Sequence, residues 1–262
     1  MNNQAIGIFD SGIGGTSIWK EIATTLPNED TIYLADSKYA PYGKRSKEEI
    51  IALSIKNTEK LLELQCKIIV VACNTATTNA VKELRKRYKI PFIGIEPAIK
   101  PAALQTKTKK VGVLATKGTL TSELFTKTSD LYAQNIEVIE VIGTGLVELI
   151  EEGKIYTPEM TTLLTSYIQP MLEKDIDYLV LGCTHYPYLV PILKQILPKH
   201  IIIIDSGEAV ARQTKVILTK NNLLTKNIQT GTHHFFTNGK LSILQDILKA
   251  SNIPTVSKLL DF

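Results

Sequence analysis

Residues 68–72 read IIVVA and residues 201–205 read IIIID, runs of β-branched side chains without an intervening polar residue. A strand with one face in water alternates apolar with polar positions. A continuous run suits a strand buried on both faces, as in a parallel sheet covered by helices. Further strands are expected at 5–9, 31–35, 92–95, 111–115, 136–141 and 178–182. Helical-period stretches fall between them at 16–25, 46–64, 77–88, 122–134, 158–174 and 188–196. This alternation implies an α/β fold with mainly parallel sheets.

The chain also echoes itself. IGIFDSGIGGT (6–16) is similar to VGVLATKGTL (111–120), and IVVACNTATT (69–78) to LVLGCTHYPY (179–188). Two similar, pseudo-symmetric α/β domains facing each other across a cleft are therefore expected. The closely spaced prolines of PAIKP (97–101) put the boundary there, since they interrupt regular structure. The first domain is expected at 1–96 plus a returning tail, 209–262, and the second at 97–208. At 262 residues the chain has the size at which one core divides in two.

The net charge of +4 is modest and the lysines are scattered, so nucleic acid is not expected as a primary partner. No run of about 18 apolar residues exists to span a membrane, and MNNQAIGIFDSGIGG lacks the pattern of a secretion signal. Three cysteines without a CxxC, Cys66, Cys73 and Cys183, read as free thiols of a cytoplasmic protein.

In open α/β sheets, ligands sit beyond the carboxyl ends of strands. The candidate strand ends are Asp10-Ser11, Cys73-Asn74-Thr75, Thr116 to Thr119, and Cys183-Thr184-His185. Each precedes a helix, whose N-terminus attracts anions such as carboxylates and lowers the pKa of a thiol. Cys73 and Cys183 occupy equivalent places in the repeated unit, so facing domains bring two thiols to opposite sides of one ligand. One thiolate can then remove a proton from a carbon while the opposite thiol returns one to the other face. Cys66 has no counterpart and reads as a small buried hydrophobe. His185 and Asp10 are candidates to assist Cys183 and Cys73. Gly12, Gly14 and Gly15 do not form a nucleotide-binding signature, and the cysteines and His185 lack zinc-site spacing; neither a metal nor another cofactor is expected. The loop DSKYAPYGKRS (36–46) reads as a surface loop or as a lid with Tyr42 and Gly43 at its turn.

GIFDSGIGG, DSKYAPYG, ACNTAT, GCTHYPYL and IDSGEAVA, in that order, resemble the glutamate racemase family of the aspartate/glutamate racemase superfamily, and HHFFTNG (233–239) resembles its last strand. The resemblance implies cofactor-independent interconversion of L- and D-glutamate, supplying D-glutamate for peptidoglycan. It implies Cys73 acting on the D enantiomer and Cys183 on the L enantiomer, with Asp10, His185 and Glu151 as auxiliary acid–base groups. Around Glu151 the wording departs from the family pattern, and Glu148 and Glu152 remain alternatives. Substrate contacts carry over to Asp10, Ser11, Tyr42, Gly43, Asn74, Thr75, Thr116, Thr119, Thr184 and His185. A homodimer is implied. Activation by a cell-wall precursor goes with an N-terminal extension in some members and is not expected from this N-terminus.

Three rival readings make different demands on the cysteines. A relative acting on aspartate or a hydantoin would need both. A Cys183–His185 hydrolase would need one, and an amino-acid binding module neither.

Overall fold

The computed structural model describes residues 4–262; residues 1–3, part of the stretch read as lacking a secretion signal, lie outside them. The first sheet is built from β1 (Ile6–Asp10), β2 (Thr31–Ala35), β3 (Ile68–Val71) and β4 (Phe92–Gly94). Helices α1 (Thr16–Thr25), α2 (Lys47–Glu63) and α3 (Asn74–Arg87) connect them, and α4 (Ile99–Gln105) leads onward. The second sheet contains β5 (Lys110–Ala115), β6 (Glu137–Ile142), β7 (Tyr178–Gly182) and β8 (Ile202–Ile204). Between these run α5 (Lys117–Leu120), α6 (Glu123–Tyr132), α7 (Leu146–Glu151), α8 (Pro158–Glu173) and α9 (Val190–Ile196). The chain ends with α10 (Gly207–Lys220), β9 (His233–Thr237), α11 (Leu241–Lys249) and β10 (Val256–Leu259).

The two sheets repeat one topology. The first has the order β10-β9-β2-β1-β3-β4 and the second β6-β5-β7-β8. Dropping β9 and β10 makes the two orders equivalent. Every pairing is parallel, and Ile6 faces Ile68 across β1 and β3 as Val111 faces Tyr178 across β5 and β7. The α/β class and the pair of similar domains stand as expected. The tail contributes β9, which pairs with β2, and β10, which pairs with β9.

Burial on both faces explains the unbroken run of β3, whereas β8, at the edge of its sheet, is only partly buried, with Ile202 exposed, against expectation. In β3, Ile68 and Val70 join the core cluster under α1, while Ile69 and Val71 join the one under α2 and α3. Successive side chains point to opposite faces, so only an apolar residue at every position satisfies both. The helix starts are local too. Ser46 caps α2 in a reciprocal box with Glu49, each side chain accepting the other's backbone N–H.

Two expectations need correction. The break around PAIKP is shorter than expected: residues 95–98 are irregular, but α4 begins at Ile99. Pro101 falls in its first turn, where a missing N–H costs no intrahelical bond. Helix α3 begins at Asn74, three residues before the expected start, so the polar run after Cys73 is its first turn.

Candidate active site

Cys73 lies two residues beyond β3 and is the N-cap of α3. Its Sγ accepts the Ala76 N–H at 3.4 Å and lies 3.6 Å from Ser11 Oγ. Cys183 follows directly on β7, with its Sγ 3.8 Å from His185 Nδ1. Because β3 and β7 hold equivalent places, both thiols line one narrow cleft. Ser11, Tyr42, Gly43, Asn74, Thr75, Thr116, Thr184 and His185 line it as well. The cleft is shut: Cys73 and Cys183 are only 4% and 7% exposed.

The remaining expected residues, Asp10, Thr119 and Glu151, do not line the cleft but stand just behind residues that do. Asp10 ends β1, and its carboxylate accepts Gly15 N–H at 2.9 Å, Gly12 N–H at 3.3 Å and the Thr184 hydroxyl at 3.3 Å. Asp10 and Cys73 also stand close enough to perturb each other's ionisation. Burial pushes the Asp10 carboxyl up to about 6, against the pull of His185 and the Gly15 N–H. Burial, reinforced by the Asp10 charge, holds the Cys73 thiol well above its usual range. The helix N-terminus does favour its thiolate through Ala76, but burial outweighs it, so the expected lowering is not found.

On the other side, His185 Nε2 meets Glu151 Oε1 at 2.6 Å. Burial works against a charged imidazole, but its bonds to Cys183 and Glu151 overcome that and hold His185 well above its ordinary value. The Gly14 N–H also approaches Nε2, at 3.2 Å. A ring nitrogen donating to Glu151 cannot accept at the same time, so the shorter contact defines its role. Glu151 also accepts the Ile13 N–H at 2.7 Å.

These contacts explain the glycine-rich turn after β1. A Cβ on Gly12 would come within 1.9 Å of Glu151 Oε1, and one on Gly14 within 2.2 Å of His185 Nδ1. The turn is bare because His185 and Glu151 of the second domain pack into it. The three carboxylates left open above have different partners. Glu151 reaches His185, whereas Glu148 pairs with Lys44 and Glu152 with Lys154.

At the other end of the cleft, the hydroxyls of Thr75, Thr116 and Thr119 form a triangle with sides of 2.8, 3.2 and 3.1 Å. Asn74 Oδ1 is buried without a hydrogen-bond partner, an acceptor available to an N–H donor in the cleft. Tyr42 is held from behind, its hydroxyl donating to Asp36 at 2.5 Å. Pro41 and Val147 also line the cleft and were missed. Pro41 lies within the DSKYAPYG motif. Val147 is an ordinary apolar residue with no chemical signature. Among the described residues, no three His, Cys, Asp or Glu side chains cluster as metal ligands.

The profile of the family described as Asp/Glu/hydantoin racemase matches residues 6–214. The chain belongs to this family, and within it groups with the glutamate racemases. The glutamate racemase of Herpetosiphon aurantiacus is 45% identical over 91% of this chain and 94% of its own length. Among solved structures, a glutamate racemase isoform of Bacillus anthracis superposes with a TM-score of 0.88 at 32% identity, covering 100% of this chain and 99% of that one. The Escherichia coli glutamate racemase, solved with L-glutamate and the activator UDP-MurNAc-Ala, gives 0.86 at 31% identity, with 98% of each chain covered.

Proposed function

We propose that this protein interconverts L- and D-glutamate by a two-base mechanism in which Cys73 and Cys183 act on opposite faces of the α-carbon. The observation that carries the proposal is the occurrence of two thiols at equivalent strand ends in one cleft, each backed by its own acid–base group. In the D-to-L direction, Asp10 accepts the Cys73 proton. The Cys73 thiolate then takes the α-proton, and the Cys183 thiol protonates the opposite face. Cys183 is left as a thiolate beside the His185 imidazolium, whose charge stabilises it. In the reverse direction the sulfurs exchange roles. Asn74, Thr75, Thr116 and Thr184, with the N-terminus of α3, supply fixed donors for the substrate carboxylates and for the charge that develops at the α-carbon. Closure excludes water while that charge exists.

The proposal includes no bound cofactor, a cytoplasmic enzyme that works as a homodimer, and a supply of D-glutamate to peptidoglycan. Three unpaired cysteines fit a reducing compartment. Among the described residues, no helix is long and apolar enough to cross a membrane.

The test is circular dichroism of each glutamate enantiomer with the purified protein and no added cofactor. Rotation decaying to zero from both sides supports the proposal, with Cys73→Ala and Cys183→Ala each abolishing the decay. Unchanged rotation with both enantiomers would refute glutamate as substrate, and aspartate would be tried next. Activity surviving either substitution would refute the two-thiol mechanism.

A further inference from the structure

A charged pair spans a hollow beside the cleft. Beside the shut cleft lies a second, small hollow, which shares Pro41, Gly43, Thr116 and Val147 with it. One side of the hollow is the turn carrying Tyr42, Gly43 and Lys44, and the other is the start of α7. Lys44 Nζ pairs with the Glu148 carboxylate across it, joining the first domain to the second. Lys117 stands on the same rim. Beneath the pair the turn lies directly on the second domain. A Cβ on Gly43 would meet Thr116 Cβ at 2.8 Å, and one on Gly118 would meet Gly43 Cα at 3.1 Å. The turn therefore seals this edge of the cleft, and lifting it would separate Lys44 from Glu148.

We propose that the Lys44–Glu148 ion pair is the latch over the approach to Cys73 and Cys183, and that it must open for a ligand to reach them. For turnover this rests on the glutamate reading. A dicarboxylate arriving at the rim meets Lys44 and Lys117 and competes with Glu148 for Lys44, so the substrate itself loosens the latch. The Lys44 side chain is 62% exposed and that of Glu148 29%, so the latch is weak and yields to salt.

The test uses the whole protein without glutamate. Iodoacetamide, a neutral probe, alkylates accessible thiols, and peptide mass mapping reports Cys73, Cys183 and Cys66 separately. Lys44→Gln and Glu148→Gln should each speed labelling of Cys73 and Cys183 by about two- to fivefold, the range expected for one exposed ion pair. Buried Cys66 should keep its slow rate. High salt should speed labelling of the parent and leave Glu148→Gln unchanged. The charge-reversed double variant, Lys44→Glu with Glu148→Lys, should return the rate close to the parent's. Unchanged labelling in both single variants, a swap that restores nothing, or an equal rise at Cys66 would each overturn the latch. Because no turnover is read, such a failure is separate from any failure of the racemase proposal.

Discussion

Cys73 faces a carboxylate and Cys183 an imidazole. The backbone that delivers them is the same in both halves: a strand beside the first strand of its sheet, with a helical turn beginning at the thiol or just beyond it. Repeated topology therefore sets where the sulfurs stand, but their electrostatic surroundings differ. Cys73 lies against a buried acid, which disfavours its thiolate and offers a base to take its proton. Cys183 lies against an imidazole whose contacts with that thiol and with Glu151 hold it well above its ordinary value. Each partner group also reaches into the opposite half, Asp10 toward Thr184 and His185 toward the glycine turn. The contacts that hold the two halves together thus involve the same groups that the proposed mechanism uses.

The largest expected effect removes the comparison altogether. Either cysteine changed to alanine should lower racemisation by about 10³-fold or more, as expected for loss of an essential acid–base group. A much smaller loss at one of them would make that half dispensable.

Next come the partners. The equilibrium constant between enantiomers is unity, so kcat/KM must fall equally in both directions for any variant. The asymmetry is read instead from isotope effects. Asp10→Asn should lower kcat/KM by about 10- to 100-fold. It should also raise the α-deuterium effect on D-glutamate, whose proton goes to Cys73, and shrink that on L-glutamate. His185→Asn should do the reverse. Identical isotope effects in the two variants would break the assignment of each group to its own sulfur.

Gly14→Ala tests the fit between the halves. The added methyl meets His185, so stability should fall by about 1–3 kcal/mol, seen as a lower denaturant midpoint, with weaker activity from a misplaced imidazole. A stable, fully active variant would show that the halves need not close this tightly.

The smallest effect is in pH. The Asp10 carboxyl, raised to about 6, is ionised above that value and takes a proton below it. Once protonated it cannot accept from Cys73, so kcat/KM should decline as pH falls through about 6, and Asp10→Asn should lose that limb. Retention of the limb in the variant would assign it to another group.

Much of this was legible in the chain, for reasons that differ by region. All eight expected strands of the two sheets are present: central strands such as β1, β3, β5 and β7 show because burial on both faces leaves a nearly continuous apolar run, while the edge strands β6 and β8 show through their β-branched content despite little burial. Strand β10 was not foreseen: VSKL is an edge strand with little burial, so its pattern carries no such signature. The early start of α3 was hidden because Asn and Thr, unremarkable in a helix interior, here form a first turn capped by a thiol. Cys73 and Cys183 were readable from repetition. Glu151 could not be separated from Glu148 and Glu152 by spacing alone. Only the packing of α7 against the glycine turn distinguishes them. The glycines themselves had no assigned purpose in the sequence, because the atoms that exclude their side chains lie about 140 and 170 residues away.

The most direct measurement follows initial racemisation of L-glutamate in heavy water, with the deuterium content of each enantiomer determined separately. Two sulfurs on opposite faces predict deuterium in the newly formed D-glutamate and protium retained in the remaining L-glutamate. Deuterium entering the L pool as fast as the D pool would mean that a single group serves both faces, contradicting the account.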